Sequence, residues 1–495
     1  MILIEFINEY KIWYLIIGFI TSIFSIGQFN FPLFIYIWPY CFLSYLHKMN
    51  SKLIPLLIVS GCLIISNMIR WLGATDMGVL YDFGIGIYFS IINIIPFIID
   101  DLLYNKITKW SSIFIFPLSV TSIEFIFAFI PLGNFNIYAY AIRDNIHMIQ
   151  ISEWFGCYFI SFSLALFASI LDHSLELYKS KKIISKFVYF YIILFLFIVV
   201  FGSIRLLCHE NQSKITIASV LGMSNCLYVN KQNNTLSIDE YMKYIEKTII
   251  KAKNSEVKIL LYSEEAFAIY ENDRDEIISR TANLAKDNNI FVVLSLDVEY
   301  DIDYNKNEAI LISDEGKILY NYQKQHLIPI VEEDYYEDLT EIKTIDTKLG
   351  KIGVAICYDV IFSDYINSLS RKGLDILLMP SWDWKGITEF HSVDLRFRAI
   401  ENGINIVKST ANGIVLSFDY KGRYLSYYKQ YACKDFFVIS NVNKKGIKTL
   451  YLYIGICFNY FYMAALVIVI GIGLYIKHKE KGKNENIEGD NLFYN

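Results

Sequence analysis

The chain contains 495 residues, of which 54% are hydrophobic and 16% aromatic, and its mean hydropathy is +0.36. This composition is too apolar for an ordinary water-soluble protein. The formal net charge of -5 says little by itself, because the grouped lysines are signals of membrane topology rather than a nucleic-acid footprint. We therefore expect a membrane protein without a nucleic-acid partner.

Nearly continuous apolar segments fill residues 1–207, and one more lies close to the end of the chain. An α-helix needs about 20 apolar residues to cross a hydrocarbon core of about 30 Å. Eight segments approach this requirement, near 12–28, 31–47, 53–72, 80–103, 111–132, 153–172, 187–207 and 451–476. The pattern predicts a multi-pass domain of eight transmembrane helices, and none of the segments has the form of a cleaved signal peptide.

The charges of the connecting loops predict an orientation. Lysines gather in alternate connections and after the last apolar segment, at Lys48 and Lys52, Lys106 and Lys109, Lys179, Lys181, Lys182 and Lys186, and Lys477, Lys479, Lys481 and Lys483. The other connections carry little positive charge, chiefly Arg70 and Arg143. The positive-inside rule therefore places both termini in the cytoplasm and residues 209–446 on the extracytoplasmic face of the cell membrane.

This topology divides the chain into four segments. Residues 1–208 form a seven-helix transmembrane domain, 209–446 an extracytoplasmic domain, and 447–478 the eighth transmembrane helix. Residues 479–495 are charged and few of them are apolar, so we expect a disordered cytoplasmic tail.

Within residues 209–446, strand patterns alternate with helix patterns. We expect strands at 214–220, 257–262, 290–296, 308–312, 316–322, 352–357, 376–379, 404–409, 415–418 and 436–442, and helices at 237–254, 274–288 and near 388–401. Alternating strands and helices, with some hairpins, predict an α/β domain with a mixed sheet and helices outside it.

Three residues stand at the ends of predicted strands: Glu264, Lys324 and Cys357. The strand ends at one edge of an α/β sheet converge on a crevice, where these side chains can meet. Each residue alone also has a structural explanation, because most free cysteines are small core residues and most strand-end charges are solvated. Spacing also leaves open whether Glu264 or the adjacent Glu265 is the relevant carboxylate.

A carboxylate, an amine and a thiol together suit acyl transfer through a covalent intermediate. The carboxylate takes the thiol proton as general base, and the sulfur attacks a carbonyl to form a thioester. The lysine ammonium and the backbone N–H of Tyr358 stabilise the oxyanion.

The sequences around Glu264, Lys324 and Cys357 resemble those of a known family. Glu264, the segment Tyr322-x-Lys324-x-His326-Leu327-x-Pro329 and the block 353–359 are similar to the Glu-Lys-Cys signatures of the nitrilase (carbon–nitrogen hydrolase) superfamily. A domain of this type inserted between the seventh and eighth spans resembles the apolipoprotein N-acyltransferase family. The membrane half of that family is also similar to the hairpin 18–38, to Glu124…Pro131…Gly133 and to Gln150…Phe155-Gly156.

The resemblance implies an αββα sandwich in which Glu264 is the general base, Lys324 the oxyanion stabiliser and Cys357 the nucleophile. It adds Glu332, at the position of a further family glutamate, and Asp359, where glutamate is usual. The implied reaction is ping-pong. An acyl chain moves from a phospholipid to the cysteine, a lysophospholipid leaves, and the α-amine of a diacylglyceryl-cysteine lipoprotein accepts the chain as an amide.

The sequence also leaves alternatives open. No His/Cys cluster has metal-ligand spacing, so we expect neither a metal nor an organic cofactor, and nothing indicates an oligomeric state. The substrate loops differ from the family, since Tyr262-Ser263 replaces Trp-Pro, Pro380–Trp384 is altered, the interval from Lys324 to Cys357 is short and 221–228 lacks tryptophan. These differences favour, as the second hypothesis, a membrane-tethered amidase or an N-acyltransferase for another amine. The third hypothesis, a non-enzymatic receptor or scaffold, is disfavoured by the intact triad.

Overall fold

The computed structural model describes residues 2–104, 106–107, 111–130, 132–133, 135–208, 212–224, 236–300, 304–336, 341–431 and 436–492. Lys109, Pro131 and residues 225–228 of the segment 221–228 lie outside these ranges, as do the side chains of Lys477, Lys481 and Lys483. The chain forms two compact units. The helical unit comprises Met1–Ile130, Asn136–Ser203 and Ile454–Asn495, and the sandwich unit comprises Pro131–Phe135 and Ile204–Tyr453.

The helices of the helical unit follow the apolar segments of the sequence. They are α1 (Ile2–Ile23), α2 (Phe34–His47), α3 (Leu53–Trp71), α4 (Val79–Leu103), α5 (Ile115–Phe127), α6 (Ile146–Ile149), α7 (Ser152–Phe155), α8 (Cys157–Lys181), α9 (Lys186–Leu207) and the last helix, α14 (Ile456–Leu492). Five described helical segments are long and apolar enough to cross a membrane, at Leu53–Trp71, Val79–Leu103, Cys157–Lys181, Lys186–Leu207 and Tyr451–Ile476.

The remaining three predicted spans fall on shorter described segments, and for the first of them the side chains of residues 1–10, at the start of α1, lie outside the described ranges. Two are apolar, at Lys11–Ile23 and Ser112–Phe127, and the third is α2, with 14 residues. The number of eight spans therefore stays a prediction. The helix α14 continues to Leu492, whereas composition predicts a disordered tail over 479–495. The lysines and glutamates of this segment are good helix formers, and they favour continuation of the helix.

Aromatic packing and close helix contacts hold the helical unit together. The ring of Trp38 lies 6.0 Å from that of Phe42 and 5.2 Å from that of Tyr138. A buried ion-pair cluster also joins three helices, since both ring nitrogens of His47 lie 2.7 Å from a carboxylate, Asp100 on one side and Asp172 on the other. Buried charges are tolerated when they are paired in this way.

The sandwich unit contains two β-sheets. Its strands are β1 (Lys214–Val220), β2 (Ile259–Tyr262), β3 (Phe267–Tyr270), β4 (Phe291–Tyr300), β5 (Tyr304–Ile312), β6 (Ile318–Gln323), β7 (Ile345–Thr347), β8 (Gly350–Val354), β9 (Ile376–Trp382), β10 (Asn405–Ala411), β11 (Gly413–Phe418), β12 (Tyr424–Gln430) and β13 (Phe437–Asn443). The first sheet has the order β13-β1-β2-β4-β5-β6, with β3 paired to β4, and the second has the order β12-β11-β10-β9-β8-β7. The pairs β1–β2, β2–β4, β8–β9 and β9–β10 are parallel.

Four helices cover the outer faces of the sheets: α10 (Ile238–Asn254), α11 (Glu271–Asn288), α12 (Ser363–Arg371) and α13 (Thr388–Asn402). Alternation along each strand explains the layers. In β2, Ile259 and Leu261 face a core shared by both sheets, while Leu260 and Tyr262 face a second core that includes Ile245 of α10. The result is a helix-sheet-sheet-helix sandwich, so the predicted α/β class is confirmed.

Most predicted elements occur within a few residues of their expected bounds, but one difference concerns the site. We expected a strand over 352–357 that ends on Cys357. The strand β8 ends at Val354, and Cys357 begins a short 3-10 helix, Cys357–Ile361. The cysteine has φ of +44°, a left-handed conformation that cannot continue a strand. The sequence patterns also did not predict β3, β7, β12 or α12.

Candidate active site

Glu264 follows β2 and is fixed by three hydrogen bonds. Its Oε1 accepts from Asn307 Nδ2 and from Lys324 Nζ, each at 2.8 Å, and its Oε2 accepts from the backbone N of Trp382 at 2.7 Å. The side chain is buried. Because Trp382 ends β9 of the second sheet, Glu264 bridges the two sheets at the edge where their strands end.

Lys324 follows β6 and lies between two carboxylates. Its Nζ donates to Glu264 at 2.8 Å and to Glu332 Oε1 at 2.6 Å, and its backbone N donates to Asn307 O at 3.0 Å. The residue is 1% exposed. Burial lowers the pKa of the ammonium, but Glu264 and Glu332 outweigh it and raise the pKa well above the ordinary value. Lys324 is therefore a fixed cation.

Cys357 is 5% exposed, and its Sγ lies 3.6 Å from the backbone oxygen of Trp382. Burial raises the pKa of the thiol well above its ordinary value; the charge of Glu264 raises it further and that of Lys324 lowers it. Both predicted partners thus lie near the sulfur, and the structure brings together the three residues that the sequence singled out. A thiol in this environment needs a base to accept its proton. The carboxylate of Glu264, which contacts the backbone of Trp382 as the sulfur does, is the predicted candidate.

Two further predicted residues hold the surrounding loops. Asp359 is fully buried and accepts hydrogen bonds from His326 N at 2.9 Å, Gln325 N at 3.2 Å and Ile356 N at 3.0 Å. It therefore ties the turn of the cysteine to the loop that follows Lys324. Glu332 uses its second oxygen to accept from Ile328 N at 2.7 Å, which fixes the loop that carries it.

Tyr358 directly follows Cys357 in the chain. Its hydroxyl accepts a hydrogen bond from the backbone N of Leu132 at 2.8 Å, and its side chain is 6% exposed. The aromatic ring is therefore held in place. The backbone N–H of Tyr358 belongs to the peptide bond that joins this residue to Cys357.

Sequence reasoning missed a group of acidic and polar residues beside the cluster. Glu265 accepts from Asn307 Nδ2 at 3.3 Å and from the hydroxyl of Tyr335 at 3.1 Å, and the same hydroxyl lies 3.3 Å from Asp297. Burial raises the pKa of Glu265 well above its ordinary value and that of Asp297 to about 7. Only the adjacency of Glu265 to Glu264 signalled this group in the sequence.

A second missed group lies on the other side of Cys357. His391 Nε2 lies 3.1 Å from the backbone oxygen of Cys357, and its Nδ1 lies 3.0 Å from Asp383 Oδ1. Asp383 also pairs with Lys408. The signal was the departure of Trp382-Asp383-Trp384 from the family pattern, which we had related to substrate specificity alone.

Two clusters of side chains offer metal-ligating atoms within 4.8 Å of one another: Cys357, Asp383 and His391, and Glu264, Glu265 and Glu332. Each cluster already contains a cation of the protein itself. Lys324 donates to Glu264 and Glu332, and Lys408 pairs with Asp383. We therefore assign these carboxylates to their ammonium partners.

Comparisons with known proteins identify the sandwich unit. Residues 219–455 match the carbon-nitrogen hydrolase family model. The sandwich unit therefore contains a domain of the carbon-nitrogen hydrolase type. The resemblance to the nitrilase superfamily and to apolipoprotein N-acyltransferases, inferred from the sequence, is thereby confirmed.

Three curated relatives match parts of this chain; one is an amidase and two are N-acyltransferases. A deaminated glutathione amidase of Dictyostelium discoideum is 33% identical over 30% of this chain and 55% of its own length. An apolipoprotein N-acyltransferase of Geobacter metallireducens is 25% identical over 62% of this chain and 64% of its own. Another, of Bradyrhizobium diazoefficiens, is 23% identical over 72% of each chain. The matches thus span between about half and three quarters of these relatives' length.

Proposed function

We propose that this protein is a membrane-embedded acyltransferase of the apolipoprotein N-acyltransferase type. It moves a fatty acyl chain from a phospholipid, through a thioester on Cys357, to the N-terminal amine of diacylglyceryl-cysteine lipoproteins. The observation that carries the proposal is the buried cluster of Glu264, Lys324 and Cys357. The similarity to two N-acyltransferases over 62% and 72% of the chain supports the choice of reaction.

In the first step, the sulfur of Cys357 attacks the ester carbonyl of the phospholipid. Glu264 accepts the thiol proton, and the carbonyl oxygen becomes an oxyanion stabilised by Lys324 and by the N–H of Tyr358. The C–O bond then breaks, the lysophospholipid oxygen takes the proton from Glu264, and the thioester remains. The raised pKa of the Cys357 thiol requires such a base, since the free thiolate is scarce at neutral pH.

In the second step, the amine of the acceptor attacks the thioester carbonyl. Glu264 accepts a proton from the attacking nitrogen, the C–S bond breaks, and the sulfur regains a proton from Glu264. The amide leaves and the resting thiol is restored. Glu332 and Asp359 act through other groups, because Glu332 holds the Lys324 ammonium and Asp359 holds the turn of Cys357.

A membrane location suits both substrates. Donor and acceptor are anchored by acyl chains, and five described helices are long and apolar enough to cross a bilayer. We propose eight spans, with residues 209–446 on the extracytoplasmic face and both termini in the cytoplasm, because loop lysines alternate as the positive-inside rule requires. Residues 479–495 then extend into the cytoplasm.

The test combines both substrates. Purified protein in micelles is incubated with phospholipid and a synthetic diacylglyceryl-cysteine lipopeptide, and the products are measured by mass spectrometry. We expect one added acyl chain on the lipopeptide amine and an equal amount of lysophospholipid. Cys357→Ala abolishes both products, whereas Cys208→Ala, at an exposed cysteine of the sandwich unit, retains them. Acylation of a lipopeptide whose amine is blocked would contradict the proposal.

The second candidate function is hydrolysis of an amide by the same thioester chemistry. The match to a deaminated glutathione amidase, with the higher identity of 33% over 30% of this chain, favours it. Hydrolysis requires water rather than an amine to attack the thioester. Release of ammonia from small amides, without transfer of a phospholipid acyl chain, would select this function.

A further inference from the structure

His391, on α13, is hydrogen-bonded on both sides of its ring. Its two partners are the backbone oxygen of Cys357, 3.1 Å from Nε2, and Asp383 Oδ1, 3.0 Å from Nδ1. A peptide carbonyl only accepts hydrogen bonds, so Nε2 is the donor to the Cys357 oxygen. The side chain is 3% exposed. A buried imidazole N–H therefore donates to the carbonyl of the proposed nucleophile.

Asp383 holds His391 in this position. Its carboxylate accepts from the hydroxyls of Ser381 at 2.9 Å and Thr388 at 2.8 Å, and it pairs with Lys408. Burial raises the pKa of Asp383, but Lys408 and His391 outweigh it and hold the pKa well below its usual range. Gly413 provides the space, because a Cβ there would lie 2.6 Å from Asp383 Oδ2.

The bond to the Cys357 oxygen acts on the next backbone N–H. The C=O of Cys357 and the N–H of Tyr358 belong to one planar peptide unit, so a group that fixes the oxygen also fixes the direction of the N–H. A hydrogen bond to the oxygen also polarises the unit and makes its N–H a stronger donor. Cys357 has φ of +44°, a conformation disfavoured by roughly 1–2 kcal/mol for a residue with a Cβ, so an external anchor is needed.

We propose that His391 is a positioning residue that orients and strengthens the Tyr358 N–H as an oxyanion donor during acyl transfer to Cys357. This inference rests on the proposed function, because it requires an oxyanion to form at this site. It assigns to the chain's own Asp383–His391 pair a part in the reaction that goes beyond the three residues of the triad.

Two substitutions separate the two hydrogen bonds of the ring. In His391→Gln, the amide nitrogen reaches the position of Nε2 and still donates to the Cys357 oxygen. In His391→Asn, the shorter amide reaches the position of Nδ1, so it keeps the contact with Asp383 and loses the one with Cys357. A purely structural role through Asp383 predicts that the Gln variant is the more damaged of the two.

The measurement is the pre-steady-state burst of p-nitrophenolate when full-length protein in micelles is acylated by p-nitrophenyl butyrate. We expect Cys357 in His391→Asn to be acylated roughly 10- to 100-fold more slowly than in the wild type. This loss of rate does not exceed the loss expected when a direct oxyanion donor is removed. We expect His391→Gln to stay within about fivefold of the wild type, since its amide nitrogen still donates to the Cys357 oxygen. His147→Asn, at an exposed histidine of the helical unit, is the matched control and retains the wild-type burst.

Alkylation of Cys357 by iodoacetamide provides the second readout, because this displacement forms no oxyanion. If His391 acts on the oxyanion donor, the alkylation rate at pH 8.5 stays within about twofold in both variants. Equal acylation by the wild type and His391→Asn, or a parallel fall in acylation and alkylation, would overturn the inference and leave the proposed function intact. Absence of any Cys357-dependent burst in the wild type would overturn both.

Discussion

At the scale of single residues, several buried carboxyl groups surround a single cation, the ammonium of Lys324. Glu264 and Glu332 contact its ammonium. Glu265 is joined to Glu264 through the side chain of Asn307, and Asp297 is joined to Glu265 through the hydroxyl of Tyr335. Burial, together with the neighbouring negative charges, raises the pKa of Glu265 and raises that of Asp297 to about 7. The cluster therefore holds protons near neutral pH, and Lys324 remains charged.

The Asp297→Asn substitution tests this description of the cluster. A carboxyl whose pKa rises from 3.8 to about 7 on folding destabilises the folded protein as the pH rises through that window. At about 1.4 kcal/mol for each tenfold change in proton affinity, the upper limit is roughly 4 kcal/mol. We expect the midpoint of thermal unfolding of Asp297→Asn to exceed that of the wild type at pH 8, with a difference that disappears towards pH 4.

Asp275→Asn is the matched control, since this side chain is 97% exposed on α11. Its effect on the unfolding midpoint should be small at both pH values. A destabilising effect of Asp297→Asn at pH 8 would show that the charged carboxylate is favoured in the folded protein, contrary to the description above.

At the scale of elements, the turn that carries Cys357 shows what sequence patterns can and cannot predict. The apolar run 352–357 correctly predicted a strand leading to the cysteine, because β-branched and apolar residues mark buried strands. It could not predict that the strand ends at Val354, since this depends on Asp359 capturing the N–H groups of Ile356 and His326. The bond from His326 joins residues 33 positions apart, and such contacts leave no periodic signal in the sequence.

The helix α9 makes a close contact at Gly202 that provides a prediction for the helical unit. A Cβ at this position would lie 1.8 Å from the backbone oxygen of His147 in α6. We expect Gly202→Ala to force these segments apart and to lower the midpoint of thermal unfolding in micelles, with a cost of at least about 1–3 kcal/mol.

Gly84→Ala in α4 is the control for this helix substitution. A Cβ there meets no described atom within 4 Å, and alanine is favoured over glycine in helices by about 1 kcal/mol. Its unfolding midpoint should be unchanged or slightly raised. Equal effects of the two substitutions would contradict the close approach of α9 to α6.

At the scale of the whole molecule, composition alone separated the chain into an apolar part and an α/β part. The pattern also predicted most strands and helices of the sandwich unit. It did not predict the division of thirteen described strands between two sheets, because pairing order depends on contacts distant in sequence. For the same reason the triad was found through strand ends and resemblance, whereas His391, on a helix face, was not.

Cysteine labelling in intact cells tests the proposed orientation. In a protein whose own cysteines have been replaced, Asp275→Cys places a thiol in the sandwich unit and Ser180→Cys places one in the lysine-rich last turn of α8. We expect a membrane-impermeant maleimide to label the first and not the second until the cells are opened. The reverse pattern would place the sandwich unit in the cytoplasm, on the opposite side of the membrane from the proposed lipoprotein substrates.

The central claim is that Cys357 carries an acyl chain, and the most direct measurement is the mass of its peptide. Wild-type protein in micelles is incubated with phospholipid alone, denatured in acid, digested and analysed. We predict one acyl group on the Cys357 peptide that hydroxylamine removes, no such group in Cys357→Ala, and formation slowed at least about 100-fold in Lys324→Met. A reduced, unacylated Cys357 in the wild type, with phospholipid present in excess, would contradict the claim.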